Sequence, residues 1–191
     1  MLSFSSHKMY GPKGVGALFL RGGHNEIPIE PLFFGGGQEN GLRSGTLNVP
    51  GIVGFGEASR ICIAEVQDDS TRIGSLRDIL ESELCKVIPS IQINGSKSLR
   101  LPNTSSLIFP GIDAEELILN SPQIMVGTGS ACSSGAIEPS HVLTAIGLSR
   151  EMANSTIRIS LGRFTSSDQI ETAIREITLA WDGLSKNIYS I

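Results

Sequence analysis

The sequence predicts a mixed α/β protein with short strands, and three observations lead to this fold class. Short apolar runs end at glycine, proline or asparagine, which is typical of short buried strands bounded by turns. Longer segments place apolar residues three and four positions apart, as on one face of a helix. The 191 residues, of which 40% are hydrophobic, suffice for one large domain or two small ones.

The chain begins with a strand and a loop-rich segment. Gly11-Pro12-Lys13-Gly14 is a turn, so Lys8 lies just before a tight turn. The apolar run over residues 15–21 predicts a buried strand. Residues 22–48 are rich in glycine and lack a clear periodicity, which indicates loop and short strands.

Two helices are predicted next. Pro50 after Asn48 favours a helix start, because the missing proline N–H falls among the unpaired donors of a first turn. This helix is expected to end near Val66. Apolar spacing over residues 73–87 predicts a second helix that stops before Pro89.

The polar stretch over residues 67–70, between the two predicted helices, indicates a domain boundary. The sequence therefore predicts one domain over residues 1–67, which carries Lys8, and a smaller C-terminal domain over residues 68–191.

Short strands and helices alternate in the second predicted domain. Strands are expected at residues 91–93, 105–109, 124–126 and 156–161. Helices are expected at residues 113–119, between Pro139 and Gly147, and after a pattern over residues 165–168 that resembles a capping box.

The composition indicates which binding partners and which compartment to expect. The 15 Lys+Arg and 19 Asp+Glu give a net charge of -4 without clusters, so neither nucleic acid nor an anionic membrane is expected as a main partner. No exported or membrane-spanning segment is visible. The three cysteines cannot form a disulfide framework, which predicts a reducing compartment, the cytoplasm or an organelle matrix in a eukaryote.

Two candidates for covalent chemistry are Lys8 and Cys132. A lysine forms an imine only where its surroundings leave the neutral amine accessible, and a lone lysine beside a turn is more often solvated surface. Cys132 lies in a loop of small residues, 127–135, where the thiol has little apolar cover. Such a loop can carry a side chain between sites, but an inert thiol fits the composition equally well.

Arg158 is a third candidate. It stands between Ile157 and Ile159, so it points to the opposite face of the predicted strand. Its planar guanidinium could hold a carboxylate by two parallel hydrogen bonds, although a solvent-facing arginine is the commoner outcome. No metal site is assigned.

Taken together, four segments resemble the cysteine desulfurases, which are pyridoxal 5'-phosphate enzymes. The segments are residues 5–14, residues 35–39 with 43–46, residues 129–134, and residues 157–164. The resemblance implies the α/β fold of the PLP-dependent transferases (aminotransferase-like, fold type I). Within that fold, residues 1–67 would be the end of the large, PLP-binding domain. Residues 68–191 would be the small C-terminal domain with the catalytic cysteine loop.

The resemblance also implies roles for the matching residues. Lys8 would bind the cofactor covalently, and Ser5 and His7 would bind its phosphate. Thr46 would reach the phosphate in a neighbouring subunit, which implies a homodimer. Arg158 would hold the α-carboxylate of L-cysteine. Cys132 would accept the sulfur as a persulfide while alanine leaves, and would pass it to an iron–sulfur scaffold or another acceptor protein.

Other functions remain open from the sequence. A selenocysteine lyase or a transaminase of the same fold would use most of these residues. A truncated, non-catalytic paralogue that keeps the dimer surface is a third alternative. The family has a long stretch before its lysine that this sequence lacks, so we expect a C-terminal portion of a longer enzyme that is incomplete by itself.

Overall fold

The computed structural model describes residues 1–24, 26–95, 100–128 and 140–188 of the 191-residue chain. The chain divides into two compact units, Met1–Gln67 and Asp68–Ile191. The domain boundary predicted from the sequence lies at this same position. The assignment of the units to a cofactor-binding domain and a small domain stays a prediction.

A two-stranded antiparallel ribbon opens the first unit. Strand β1 (Leu2–Ser5) pairs with β2 (Gly16–Phe19), and a 3-10 turn, Ser6–Met9, follows β1 directly. Every residue of both strands is exposed. The strand predicted over residues 15–21 is thus confirmed, but its predicted burial is wrong, because no described segment of this unit covers the ribbon.

The glycine-rich segment after β2 is largely irregular. It contains a second 3-10 turn, Gln38–Gly41, and its described residues include no strand, contrary to the expectation of short strands there. Several of its glycines, among them Gly23 and Gly41, have positive φ angles that other residues rarely adopt and that interrupt a strand.

One long helix, α1 (Val49–Val87), takes the place of the two predicted helices. Its start is as expected, since Asn48 accepts a hydrogen bond from the backbone N–H of Gly51 at 3.2 Å. The predicted break over residues 67–70 is wrong. These residues are polar, but none is glycine or proline, and each lowers helix stability by less than about 1 kcal/mol.

A three-stranded antiparallel sheet organises the second unit, in the order β3-β4-β5. Its strands are β3 (Gln92–Ile93), β4 (Thr104–Ile108) and β5 (Thr156–Ser160), which confirms three predicted strands. Residues 124–126 do not form the fourth. Only the next residue, Gly127, makes an isolated bridge, and its partner is Arg158.

Four further helices belong to the second unit: α2 (Ala114–Leu119), α3 (His141–Ala145), α4 (Arg150–Asn154) and α5 (Ser167–Ile188). The sequence predicts all of them except α4, and Pro139 lies outside the described residues. The predicted capping box of α5 is confirmed one residue later. Ser166 and Gln169 each donate a backbone N–H to the other's side-chain oxygen, at 3.1 and 3.3 Å.

The core of the second unit lies on one face of the sheet. Leu107 of β4 and Ile157 of β5 are buried there with apolar residues of α1, α2 and α5. Alternate residues face the other way. Ser106, Arg158 and Ser160 among them are half-buried or exposed, whereas the pair Ile108 and Thr156 at one end of that face is buried. The sheet therefore has an apolar face under the helices and an opposite face that is polar and accessible around Arg158.

No helix in the described part of the chain is both long and apolar enough to cross a membrane.

Candidate active site

Three of the predicted cofactor residues of the first unit lie at the end of β1 and in the turn after it. Ser5 ends β1, and His7 and Lys8 belong to the 3-10 turn after it; all three are exposed. Tyr10 closes the turn in the left-handed conformation, with φ of 64°. The structure thus places Ser5, His7 and Lys8 next to one another on an accessible surface.

Backbone contacts fix the shape of this turn. Ser6 donates its N–H to the carbonyl of Val15 at 3.1 Å, and Gly11 donates to the carbonyl of Ser6 at 3.0 Å. On the side of α1, the hydroxyl of Ser59 contacts the sulfur of Met9 at 3.6 Å. The turn that carries Lys8 is therefore held both to β2 and to α1.

Gly11 makes this close approach possible. A Cβ atom added at Gly11 would lie 2.1 Å from Oγ of Ser6 and 3.0 Å from Cβ of Ala58. Any side chain at this position would push the turn away from the helix.

Thr46 lies in a second loop of the first unit, and that loop is tied to the glycine run. Ser44 donates its hydroxyl to the carbonyl of Gly36 at 2.6 Å, and Gly45 donates its N–H to Oε1 of Gln38 at 3.1 Å. Thr46 itself is exposed. Sequence reasoning missed the structural roles of Gln38 and Ser44, because nothing local marks a contact between residues seven or eight positions apart.

Arg158 lies in the middle of β5 with its side chain on the accessible face, as predicted. Its N–H donates to the carbonyl of Gly127 at 2.6 Å, and Gly127 donates back to the carbonyl of Arg158 at 3.2 Å. Cys132 lies outside the described residues. Cys132 is five residues after Gly127 in the sequence, and five fully extended residues span at most about 18 Å. The predicted carboxylate anchor is therefore paired with the segment that leads into the predicted cysteine loop.

Gly127 and Arg158 begin a row of paired residues that runs across the sheet, and two polar residues continue it. Ser106 of β4 pairs with Arg158, and Asn94, just after β3, donates its backbone N–H to the carbonyl of Ser106 at 2.9 Å. The amide Nδ2 of Asn94 also donates to Oγ of Ser106 at 3.1 Å. Sequence reasoning missed both residues, because their proximity depends on strand register.

A buried ion pair holds the segment before β4. The Arg100 guanidinium donates to both carboxylate oxygens of Glu81 at 2.6 and 2.5 Å, and Ser105 donates its hydroxyl to Oε1 of Glu81 at 2.7 Å. The hydrogen bonds that Arg100 donates to Glu81 raise the pKa of Arg100 above its usual value. Arg100 therefore stays charged wherever the protein is folded.

A second ion pair holds the chain that leaves β5. Nε and Nη2 of Arg163 contact Oδ2 of Asp69 at 2.8 and 2.7 Å. Arg72 donates to the carbonyl of Thr165 at 2.9 Å and also to that of Arg163. Residues 163–165, which follow β5, are thereby attached to α1.

The predicted site residues divide between the two units. Ser5, His7, Lys8 and Thr46 belong to the first unit, and Arg158 belongs to the second. Within the second unit, Arg158 and the start of the predicted cysteine loop lie side by side.

Most of the chain matches one known protein family. Residues 1–172 match the family model of the class-V aminotransferases. The chain belongs to the aminotransferase class-V family. The predicted fold, that of the α/β PLP-dependent transferases, is confirmed by this match together with the structural similarity given next.

Proteins similar to this class-V chain include two named cysteine desulfurase IscS. The one from Rickettsia typhi is 42% identical over 186 residues, which cover 97% of this chain and 45% of that protein. The one from Shewanella baltica is 46% identical over 184 residues, or 96% of this chain and 45% of that protein. A solved structure of a NifS-like protein superposes with a TM-score of 0.81 at 37% identity, over 94% of this chain and 46% of the other. The chain thus spans about half the length of the relatives it matches.

Proposed function

We propose that these residues belong to a pyridoxal-phosphate-dependent cysteine desulfurase, which removes sulfur from L-cysteine and releases alanine. The observation that carries the proposal is the pairing of Arg158 with Gly127, because it joins a carboxylate anchor to the segment before Cys132. The names of the similar proteins support the same activity. Since the chain spans about half of those relatives, the proposal concerns the full-length protein that contains these residues.

The turn after β1 fits the cofactor by the chemistry of its side chains. The hydroxyl of Ser5 and the imidazole of His7 can donate hydrogen bonds to a phosphate, and the amine of Lys8 can bond to an aldehyde. All three are accessible, Ser5 at the end of β1 and His7 and Lys8 in the turn. Pyridoxal 5'-phosphate, when bound, supplies an electron sink for the charge that develops on the substrate carbons.

Arg158 and Lys8 then have separate roles in the reaction. Arg158 holds the substrate's α-carboxylate by its planar fork and so orients the sulfur. The amine of Lys8 would move protons at the substrate's α-carbon.

The thiolate of Cys132 attacks the substrate's sulfur. An S–S bond forms, the bond between Cβ and sulfur breaks, and its electron pair stays with carbon, which takes up a proton. L-cysteine becomes alanine, and Cys132 keeps the sulfur as a persulfide; no external oxidant or reductant is needed.

The proposal extends to domains, subunits and partners. Residues 1–67 would be the end of the PLP-binding domain, and residues 68–191 the small domain with the cysteine loop. A homodimer would let Thr46 reach the phosphate bound by a second subunit. An iron–sulfur scaffold or another acceptor protein would take the persulfide sulfur, in the cytoplasm or an organelle matrix.

The test uses the full-length protein purified with pyridoxal phosphate. We expect a yellow protein that borohydride bleaches while fixing the cofactor covalently on Lys8. With an added thiol reductant that cleaves the persulfide, the protein should release sulfide and alanine from L-cysteine. Lys8→Ala should lose the colour, whereas Lys13→Ala, a matched change at an exposed lysine beyond the same turn, should keep it.

The cysteine is tested separately. Cys132→Ser should keep the colour and lose sulfide release. Cys62→Ser, a matched change at a half-buried cysteine of α1, should keep both. Unchanged sulfide release in Cys132→Ser would contradict the proposed role of this thiol. Amino-group transfer to a 2-oxo acid without sulfide release would indicate a transaminase instead.

A further inference from the structure

The strand pattern around Arg158 brings an unassigned hydroxyl close to it. Both backbone hydrogen bonds of Arg158 go to Gly127, on the side away from β4. Arg158 and Ser106 therefore form a non-hydrogen-bonded pair of the antiparallel ladder, in which the Cα atoms are about 4.5 Å apart and the side chains share a face.

Ser106 is held so that its proton is available. Its Oγ accepts from Nδ2 of Asn94 at 3.1 Å, which occupies a lone pair of the hydroxyl and not its hydrogen. The neighbouring pair on the same face differs, because the hydroxyl of Thr104 donates to Oδ1 of Asn103 at 3.3 Å. The hydroxyl of Ser106 can therefore donate a hydrogen bond on the face of the sheet that also carries the side chain of Arg158.

Arg158 also lacks an acidic partner in the described part of the chain. By contrast, five other arginines of this unit contact carboxylates, with nitrogen–oxygen distances of 2.5 to 3.9 Å. They are Arg72, Arg77, Arg100, Arg163 and Arg175. A cation beside a donor hydroxyl, without a protein carboxylate, is a site for an external anion with two oxygens.

We propose that Ser106 is a second ligand of the substrate's carboxylate, and that Asn94 is its positioning residue. The guanidinium of Arg158 and the hydroxyl of Ser106 donate to the carboxylate together. The carboxylate then lies toward β4, which leaves the Gly127 side of Arg158 for the rest of the substrate. This inference rests on the proposed function for the identity of the substrate, L-cysteine.

Kinetics of the full-length enzyme test this role. We expect Ser106→Ala to raise KM for L-cysteine about tenfold with kcat within about twofold, as for loss of one charge-assisted hydrogen bond made equally before and during the reaction. Ser106→Thr keeps a hydroxyl and should restore KM. Asn94→Ala should raise KM by about threefold, because the hydroxyl is then no longer oriented. Ser160→Ala makes the same change two residues from Arg158 on the same face and should leave KM unchanged.

A binding measurement separates this inference from the proposed function. The Nε–H signal of Arg158 in NMR is titrated with L-alanine, which carries the carboxylate but no sulfur. The affinity should fall about tenfold in Ser106→Ala and stay unchanged in Ser160→Ala.

The outcomes are distinguishable. An unchanged KM and an unchanged alanine affinity in Ser106→Ala would overturn the role of Ser106 and leave the desulfurase proposal intact. Absence of sulfide release from the unaltered enzyme would overturn the proposed function, and the alanine titration would then decide on Ser106 by itself.

Discussion

Ser6 shows how closely the turn that carries Lys8 is packed. Its side chain is fully buried, and its Oγ finds no hydrogen-bond partner in the described structure. A buried hydroxyl without a partner loses its hydration without compensation. This residue lies between the predicted phosphate ligands Ser5 and His7 and contributes packing to the turn.

Replacing Ser6 by alanine should therefore stabilise the full-length protein. We expect the free energy of unfolding to rise by about 1 kcal/mol, because the unpaired hydroxyl is removed and Cβ is kept. Chemical denaturation of both proteins measures the difference. A loss of stability would show that the hydroxyl has a partner in the full-length protein.

Gly11→Ala should destabilise the same turn. The new Cβ would lie 2.1 Å from Oγ of Ser6, and overpacking of this kind costs about 1–3 kcal/mol. The double variant with Ser6→Ala should recover part of the loss, since the nearest clashing atom is then absent. Gly37→Ala serves as the control, because a Cβ there meets no atom within 4 Å. Equal unfolding curves for Gly11→Ala and Gly37→Ala would contradict this description of the turn.

At the scale of single elements, α1 differs most from the sequence-based expectation. Spacing and polarity suggested two helices, but polarity alone does not end a helix when the backbone can continue its hydrogen bonds. Asp69 in the polar stretch also gains an ion pair with Arg163, which is 94 residues away along the chain. Such a partner is invisible to local pattern analysis.

Asp68→Pro tests the continuity of α1. Asp68 is exposed, so the change acts on the backbone, and proline inside a helix costs about 3 kcal/mol or more. Asp68→Ala, at the same position, should be neutral or slightly stabilising. Circular dichroism and thermal unfolding measure both variants. Similar unfolding temperatures for the two would indicate a loop at this position.

The Glu81–Arg100 pair joins α1 to the segment before β4. Their side chains are only 7% and 14% exposed, so removal of one partner leaves a nearly buried charge without compensation. We expect Glu81→Gln to lower the free energy of unfolding by about 3 kcal/mol, at the low end for a broken buried pair because one amide oxygen remains.

Glu57→Gln, in the same helix, is the matched control. Glu57 contacts Arg60 at 2.7 Å on an exposed surface, and its hydrogen bond with Arg60 lowers the pKa of Glu57. A lowered carboxyl pKa stabilises the protein above the unfolded pKa, and the effect disappears as pH falls through the folded pKa. Because the pair is exposed, the change in stability at neutral pH should be small, and a large one would contradict this comparison.

At the scale of the whole molecule, the two units differ in how much core they contain. Among the described residues of the first unit, only Ser6, Gly51 and Ala58 are buried. The hydrophobic cluster that joins α1, α2, β4, β5 and α5 lies entirely in the second unit. A two-stranded ribbon with both faces exposed is at best marginally stable.

Residues 68–191 expressed alone should therefore fold, and residues 1–67 should not. Calorimetry of the longer piece should show one cooperative transition, because its core is complete without the ribbon. The shorter piece should give no transition and should bind a hydrophobic dye. A cooperative transition in residues 1–67 would mean that the exposed ribbon finds its own packing.

The sequence by itself determined what depends on neighbouring residues and on motifs. Three sheet strands, the cap of α5, the outward direction of Arg158 and the family follow from patterns within a few residues of one another. Local preferences decide these features, so they can be predicted without a structure.

The tertiary structure alone decided what depends on strand register and distant partners. It joined the two predicted helices into α1, and it brought Asn94, Ser106, Arg158 and Gly127 into one row across the sheet. The residues of that row come from four separate segments. A shift of one residue in any strand would turn its side chain to the opposite face, and only the packing of the core fixes that register.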